Sequence, residues 1–223
     1  MKENIELISF DCYGTLIDWK QGVLNTLVPL FDEYLLDIEP GEIFSLFRRF
    51  DAESLSSDFI SYRNVLREIM KKYAHHLNVN MMQADLDCLV NSLPDWPAFE
   101  DTVLALRKLK MSYKLALITN SDNDLIEKTL NFLGVEFDYV ITSESLNSYK
   151  PSTENFTRAL KIFDLPTHKI LHVAQSIYHD IIPCNELGIR NLWVNRYNDP
   201  SPSDDVEKPG GEITGLAQLP EMA

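Results

Sequence analysis

Cysteine is scarce in this chain of 223 residues, where it occurs only as Cys12, Cys88 and Cys184. The count is odd, the positions are widely spaced and no Cys-x-x-Cys pair is present. A disulfide framework or a cysteine-based zinc site needs paired cysteines, so neither is expected. With 45% hydrophobic and 24% charged residues the chain can bury an ordinary core without cross-links. A reduced, intracellular setting fits best.

Long apolar runs and positive charge are also in short supply. No segment approaches the roughly 18 consecutive apolar residues of a membrane-spanning helix, and the N-terminal MKENIELISF lacks the apolar stretch of a signal peptide. The 20 Lys and Arg face 34 Asp and Glu, which gives a net charge of −14. We therefore expect a cytoplasmic protein that binds neither membranes nor nucleic acid. An anionic substrate would need a local cluster of Lys or Arg.

Strand-like and helix-like segments alternate over most of the chain. Short runs rich in Val, Ile, Leu and aromatic residues predict buried strands at 5–10, 114–119, 139–142, 170–174 and 191–194. Helical periodicity with suitable start and stop residues predicts helices at 99–109, 124–133, 153–163 and 178–187. This alternation is typical of an α/β fold with a Rossmannoid, doubly wound parallel sheet and right-handed crossovers.

A long helical insertion separates the first two predicted strands. Helical patterns predict four helices at 21–34, 40–54, 59–77 and 81–93, and a proline-containing linker at 94–97 closes the insertion. We therefore predict a catalytic core formed by 1–17 plus 95–223 and a helical insertion at 18–94. The tail from Asn198 onward is rich in Pro, Gly, Ser and acids, and it is expected to be a loop with a short strand at 212–216.

Polar side chains stand at or shortly after the ends of four predicted strands. They are Asp11, Thr119, Asn120, Lys150, Gln175 and Asp180. Because ligands of open parallel sheets bind at the carboxyl ends of the strands, we expect these residues to converge on one edge. The set combines a candidate nucleophile with a hydroxyl donor, an amine and a second carboxylate.

Four segments of the chain together resemble the haloacid dehalogenase superfamily. In chain order they are DCYGTL at 11–16, LALITN at 115–120, Lys150 with Pro151, and HVAQ at 172–175 with Asp180 and Gly188. They span the whole predicted core, and the helical insertion lies where this superfamily often carries its cap. The resemblance implies a hydrolase with a Rossmannoid core and an inserted four-helix cap.

Asp11 is the catalytic nucleophile that the resemblance implies. A carboxylate nucleophile has to be ionised and held in place, and Gly14 permits the tight turn that follows the strand. Thr15 and backbone amides can then hydrogen-bond the reacting groups. Lys150 supplies positive charge that favours the ionised carboxylate and neutralises a bound anion. Asp180 can orient Lys150 or the hydrolytic water.

Two positions distinguish this chain from the phosphatases of the superfamily. Those enzymes usually carry an acid–base Asp at the position of Tyr13 and a magnesium-binding Asp at the position of Gln175. Without these two acids magnesium would be poorly held, so neither a metal nor another cofactor is expected. The DCYGTL segment is instead similar to the L-2-haloacid dehalogenase branch, which works without metal.

The resemblance to that branch implies attack by Asp11 on the substrate carbon that carries the halogen, followed by hydrolysis of the Asp11 ester. The residues expected to contact the small carboxylic acid substrate are Tyr13, Arg48, Arg49, Thr119, Asn120 and Gln175. A cap arginine would receive the halide. Arg48 has the best register for this role, Arg49 is adjacent, and Arg63 is a second candidate.

Three departures from the branch leave the leaving group open. Gln175 stands where the branch has Ser, Ile177 where it has Asn, and Phe156 where it has Tyr. Another 2-substituted acid, such as azetidine-2-carboxylate, would suit the same displacement. The residues are also compatible with a magnesium-dependent small-molecule phosphatase and with a catalytically degenerate, protein-binding member of the superfamily. A homodimer formed through the cap is a further expectation from the resemblance.

Overall fold

A parallel sheet lies at the centre of the computed structural model, which describes residues 5–56, 58–202 and 208–222. Its strands are β1 (Leu7–Phe10), β2 (Lys114–Thr119), β3 (Tyr139–Thr142), β4 (Ile170–Ala174), β5 (Arg190–Val194) and β6 (Glu212–Ile213). Their spatial order is β3-β2-β1-β4-β5-β6, and every neighbouring pair is parallel. The predicted α/β class with a doubly wound parallel sheet is confirmed.

Continuous hydrophobic runs explain why β1 and β4 are central. All four residues of β1 and all five of β4 are buried, as expected for strands covered by helices on both faces. In register, Phe10 lies opposite Leu117 of β2 and Val173 of β4. The carboxyl ends of β1, β2 and β4 therefore lie next to one another, at the point where the strand order reverses direction. This is the edge at which open α/β sheets bind ligands.

Ten helices accompany the sheet within the described part of the chain. Between β1 and β2 they are α1 (Trp19–Glu33), α2 (Pro40–Leu55), α3 (Tyr62–His76), α4 (Cys88–Ser92) and α5 (Thr102–Lys110). Later they are α6 (Asn123–Leu133), α7 (Ser143–Leu146), α8 (Thr153–Phe163), α9 (Ile182–Glu186) and α10 (Leu219–Met222). Most predicted bounds lie within one to three residues of these, which is the usual uncertainty at frayed helix ends.

Two predicted helices differ from the structure. The helix predicted at 81–93 is reduced to α4 with a short 3₁₀ turn on each side, and Met82 near its predicted start is 65% exposed and adds no burial that would hold a longer helix. The helix predicted at 178–187 is divided into a π turn, Ile177–Ile181, and α9. Pro183 lies in the first turn of α9, where its missing backbone N–H is tolerated.

Helices α1 to α4 pack on the rest of the molecule through a shared hydrophobic core. One cluster of buried side chains contains Phe10 and Leu16 near β1, Phe31 on α1, Phe47 on α2 and Trp96 in the linker. The buried packing is therefore continuous between the sheet and the inserted helices. The division into a core of 1–17 plus 95–223 and a cap of 18–94 stays a prediction.

Two sequence expectations concern cysteine and membranes. Cys12 and Cys184 are buried, Cys88 is half-buried, and all three are free thiols. Within the described ranges, no helix is both long enough and apolar enough to cross a membrane.

Candidate active site

Asp11 directly follows β1, and the tight turn after it fixes its position. Gly14 has a φ of +98°, a conformation that residues with a Cβ rarely adopt, and a Cβ there would lie 3.3 Å from both Gln175 and Trp19. The turn places the Thr15 hydroxyl so that it donates to Asp11 Oδ2 at 2.8 Å. The same hydroxyl accepts the backbone N–H of Gln175 at 2.9 Å. Asp11 is therefore held by the strand on one side and the β4 loop on the other.

Lys150 joins the two carboxylates of this edge. Its ammonium donates to Asp11 Oδ1 at 2.8 Å, to Asp180 Oδ1 at 2.6 Å and to the Ile118 carbonyl at 2.9 Å. All three of its donors are thereby used. Asn120 fixes the backbone of Lys150 from both sides, accepting its N–H at 2.8 Å and donating to its carbonyl at 3.0 Å. The side chain of Asn120 thus positions the lysine.

The charges of this group stabilise one another. Burial lowers the pKa of Lys150, but Asp11 and Asp180 outweigh burial and raise that pKa above its ordinary value. For Asp180 the effects are reversed. Burial raises the pKa of Asp180, yet Lys150 and His172 together lower it to about 2. His172 contacts Asp180 Oδ1 at 3.0 Å and Ser9 at 2.9 Å, so it is a buried second layer behind the site. Lys150 is accordingly a cation and Asp180 an anion at neutral pH.

A cavity of about 590 Å³ opens in front of Asp11. Asp11 and Thr119 belong to the wall formed by the sheet edge, and the opposite wall comes from the side of α2 that carries Phe44, Arg48 and Leu55. Thr119 is buried, and its hydroxyl has no hydrogen-bond partner among the described residues. Because buried hydroxyls ordinarily have a partner, this group is available to a ligand in the cavity.

The structure brings most of the predicted site residues together. The residues that line the cavity are Asp11, Tyr13, Arg48, Thr119, Asn120, Lys150, Gln175 and Asp180. Thr15 lies directly behind Asp11 and is fully buried, whereas Asp11 itself is 8% exposed and reachable from the cavity. Gln175 presents its backbone N–H to Thr15 and its carbonyl to the Trp193 indole at 2.8 Å.

Arg49 and Arg63 are separated from this group. Consecutive helical residues point about 100° apart, so Arg48 and Arg49 cannot both face the cavity from α2. Arg49 instead lies over the Phe50 ring at 4.8 Å and 3.8 Å from Glu53, lining another depression. Arg63 binds Asp124 at 2.5 Å. Arg49 therefore lies outside the cavity that holds Asp11, contrary to its predicted place beside the substrate.

Tyr13 contributes its ring rather than its hydroxyl. The hydroxyl hydrogen-bonds Thr129 on α6 at 3.1 Å, and the ring packs edge-on against Trp96 at 5.9 Å. Burial raises the pKa of Tyr13 well above its ordinary value. The residue is thus a neutral wall of the cavity beside Asp11.

Several lining residues escaped the sequence reasoning. Asp51 and Tyr62 come from the inserted helices, and Tyr197 and Asp199 come from the loop after β5. Asp51 has a readable signal, because it stands three residues after Arg48 on a helix face that is otherwise apolar. Tyr197 and Asp199 have no such signal in the sequence, since their positions depend on how the loop after β5 folds back. His179 also lines the cavity, and burial lowers its pKa.

The donor set at this edge does not fit a magnesium ion. Among the described residues, no group of three or more His, Cys, Asp or Glu side chains is arranged to hold a metal. The Lys150 ammonium bridges Asp11 and Asp180, the two acids that would serve as ligands. Magnesium prefers several oxygen ligands in an octahedron, whereas Tyr13 and Gln175 offer no carboxylate.

Comparison with known proteins identifies the family. A model of the haloacid dehalogenase-like hydrolases matches residues 8–194, and the chain belongs to this family. Its sequence is 25% identical to the (S)-2-haloacid dehalogenase of Pseudomonas putida over 97% of this chain and 96% of that protein. It is 26% identical to haloacetate dehalogenase H-2 of a Moraxella strain over 87% of this chain and 88% of that protein.

A solved structure shows the same fold. The L-2-haloacid dehalogenase of Xanthobacter autotrophicus, solved with chloropropionic acid covalently bound, superposes with a TM-score of 0.82. It covers 98% of both chains at 17% sequence identity. Together with the family model and the curated relatives, this confirms the predicted likeness to the L-2-haloacid dehalogenase branch, and the family model and relatives confirm the prediction of a hydrolase.

Proposed function

We propose that this protein hydrolyses small 2-substituted carboxylic acids, with 2-haloacids as the substrates that the site suits best. The observation that carries the proposal is the position of Asp11. It is an accessible carboxylate held by Thr15 and Lys150 in a cavity whose opposite wall carries Arg48. The similarity to (S)-2-haloacid dehalogenases along nearly the whole chain supports the same chemistry.

In the first step, one oxygen of Asp11 attacks C2 of the substrate and the halide leaves with the electron pair of the carbon–halogen bond. Attack opposite to the leaving group inverts C2 and forms an aspartyl ester. The Thr119 hydroxyl, which lacks a partner among the described residues, donates to the substrate carboxylate. The Arg48 guanidinium accepts the departing halide as a fixed positive charge.

In the second step, water adds to the carboxyl carbon of Asp11 and releases the 2-hydroxy acid. The second oxygen of Asp180, Oδ2, is buried and has no hydrogen-bond partner in the described residues, so it can accept a hydrogen bond from this water. Lys150 stabilises the negative charge that develops on the ester oxygens. The products are one hydroxy acid, one halide ion and one proton, and Asp11 returns to a carboxylate.

The direct test is halide release from L-2-chloropropionate in the presence of a chelator, measured beside phosphate release from an aryl phosphate with magnesium. We expect chelator-resistant halide release and no phosphate release. Asp11→Asn should abolish halide release, because the amide is a poor nucleophile. Chelator-sensitive phosphate release without halide release would establish a phosphatase and exclude the dehalogenase.

The two arginines of α2 provide a matched pair of variants for the same assay. Arg48→Ala should lower kcat/KM by about 10²-fold or more, as expected when a charge that stabilises the transition state is removed. Arg49→Ala removes an equal charge one residue away and should leave kcat/KM within about twofold. Equal effects of the two substitutions would remove Arg48 from the mechanism.

The same attack at C2 would open the strained ring of azetidine-2-carboxylate, with the ring nitrogen as the leaving group. This substrate belongs in the same chelator-treated assay, with the ring-opened hydroxy acid as the measured product. Turnover of the ring without halide release from any 2-haloacid would identify the protein as a ring-opening hydrolase. Asp11→Asn should abolish this turnover as well, since the nucleophile is shared.

A further inference from the structure

Helix α2 carries an acid into the cavity opposite Asp11. Asp51 lies on the same stripe as Phe44, Arg48, Ala52 and Leu55, which line the cavity together at helical spacing. Its side chain is on the buried side of the helix, and the residue is 7% exposed. A carboxyl group therefore faces the space that a substrate attached to Asp11 would fill.

This carboxyl is poorly supplied with partners. Among the described residues, its one hydrogen bond comes from the Tyr62 hydroxyl at 3.5 Å, which is long for an O–H···O contact. Burial raises the pKa of Asp51 to about 7, and the Tyr62 hydroxyl and the Lys72 ammonium oppose this effect only in part. Buried polar side-chain atoms ordinarily have at least one hydrogen-bond partner. Asp51 has unused hydrogen-bonding capacity at the cavity wall.

We propose that Asp51 is a specificity-determining residue that recognises a hydrogen-bond-donating substituent, a hydroxyl or an ammonium, on the part of the substrate beyond C2. This inference rests on the proposed function and names its substrate class. With the carboxylate at Thr119 and the halide leaving in line towards Arg48, the remaining substituent of C2 projects sideways from that line, and Asp51 lies one helical turn from Arg48 on the same wall. An apolar substituent would cover Asp51 without giving it a partner, which costs free energy.

Two isosteric substrates test the proposal. 2-Chloro-3-hydroxypropionate carries a hydroxyl where 2-chlorobutyrate carries a methyl group, so the two differ in hydrogen bonding and little in size. We expect wild-type kcat/KM to favour the hydroxylated acid at least tenfold. A site built to hydrogen-bond a substrate group discriminates strongly against an analogue that lacks it.

The variants separate recognition from folding. Asp51→Leu should remove the tenfold preference by lowering kcat/KM for the hydroxylated acid while leaving that for 2-chlorobutyrate equal or higher. Asp51→Asn, which keeps size and polarity, should retain part of the preference. Glu42→Leu removes a carboxyl group from an exposed position of α2 that does not line the cavity, and it should leave the preference unchanged. Equal losses for both substrates in Asp51→Leu would make Asp51 a structural residue and overturn the proposal.

A binding measurement distinguishes failure of this inference from failure of the proposed function. The corresponding products, glycerate and 2-hydroxybutyrate, can be titrated into wild-type and Asp51→Leu protein by calorimetry. Tighter binding of glycerate to the wild type, lost in Asp51→Leu, supports the inference even if no halide is released, in which case the proposed function alone fails. Equal binding of the two products to the wild type overturns the inference whatever the halide assay gives.

Discussion

Lys150 is the residue on which the electrostatics of the site depend most. It is 2% exposed and pairs with Asp180, whose side chain is 1% exposed, and with Asp11, whose side chain is 11% exposed and lines the cavity. In such a group the removal of one partner leaves uncompensated buried charge, whereas the intact group contributes less than its Coulomb energy suggests. The lysine is therefore needed for the fold, and the proposed mechanism requires it as well.

Lys150→Met should abolish halide release and lower the free energy of unfolding by about 3–5 kcal/mol, because two buried carboxylates then face each other. Urea denaturation at neutral pH measures the second effect. Lys169→Met breaks the exposed pair with Glu6, and such pairs contribute less than about 1 kcal/mol. A loss for Lys150→Met as small as that of Lys169→Met would contradict the described ion-pair geometry.

The pKa of Asp51 predicts that its contribution to stability changes with pH in the opposite direction to the contribution of Asp180. Its folded pKa of about 7 lies above the ordinary 3.8, so protonation favours the folded state. This contribution to stability is fully present below about pH 4 and is lost as the pH rises through about 7. Asp180, with a folded pKa of about 2, instead contributes stability above pH 4 that is lost as the pH falls towards 2.

Asp51→Asn should remove the Asp51 dependence. Between pH 5 and pH 8 we expect the free energy of unfolding of this variant to decline less than that of the wild type, with a difference of about 1–4 kcal/mol by pH 8. Urea denaturation at a series of pH values measures it. Parallel curves for the two proteins over this interval would show that Asp51 titrates as it does in the unfolded chain.

At the scale of elements, α1 packs directly against the linker that follows α4. Gly22 of α1 faces the ring of Trp96, and a Cβ at this position would lie 2.2 Å from the ring. No rotamer change of an alanine methyl can relieve that overlap, so the helix or the linker would have to move. The backbone at Gly22 is helical, a conformation that any residue can adopt. The glycine is therefore required for its small size in this packing.

Gly22→Ala should therefore lower the free energy of unfolding by about 1–3 kcal/mol, although alanine is the better helix former. Gly41→Ala is the matched control, because it also lies in the first turns of a helix and a Cβ there meets no atom within 4 Å. We expect that variant to be as stable as the wild type or more so. Thermal denaturation of both variants measures these effects. Destabilisation by Gly41→Ala and not by Gly22→Ala would refute the packing argument.

Local signals predicted elements best where start and stop residues were explicit. The helix at 153–163 was predicted with the bounds found, since Ser152 caps its first turn and Asp164 ends it in a left-handed conformation. The segment 81–93 shows the reverse, because Met82, Leu86, Leu89, Val90 and Leu93 recur at helical spacing and yet the prediction of one long helix was wrong. The π turn at Ile177–Ile181 has no sequence pattern that distinguishes it from an ordinary helix.

At the scale of the whole molecule, the parallel sheet explains why so much of the site could be predicted. Because the carboxyl ends of parallel strands meet at one edge of the sheet, Asp11 and Thr119 at strand ends and Lys150 in the loop region after β3 were predicted to converge there. The opposite wall depends on the rotation of α2 over that edge. Arg48 and Arg49 were therefore both candidates from the sequence, since a rotation of one residue exchanges which of them faces the cavity.

The central claim is that Asp11 forms an ester with the substrate, and single turnover in heavy-oxygen water tests it most directly. With the enzyme in excess over L-2-chloropropionate, the mass of the lactate and of the Asp11 peptide are measured together. The ester mechanism predicts lactate with ordinary oxygen, taken from Asp11, and one heavy oxygen incorporated into the peptide. Lactate labelled from solvent in that first turnover, with an unlabelled peptide, would contradict the mechanism.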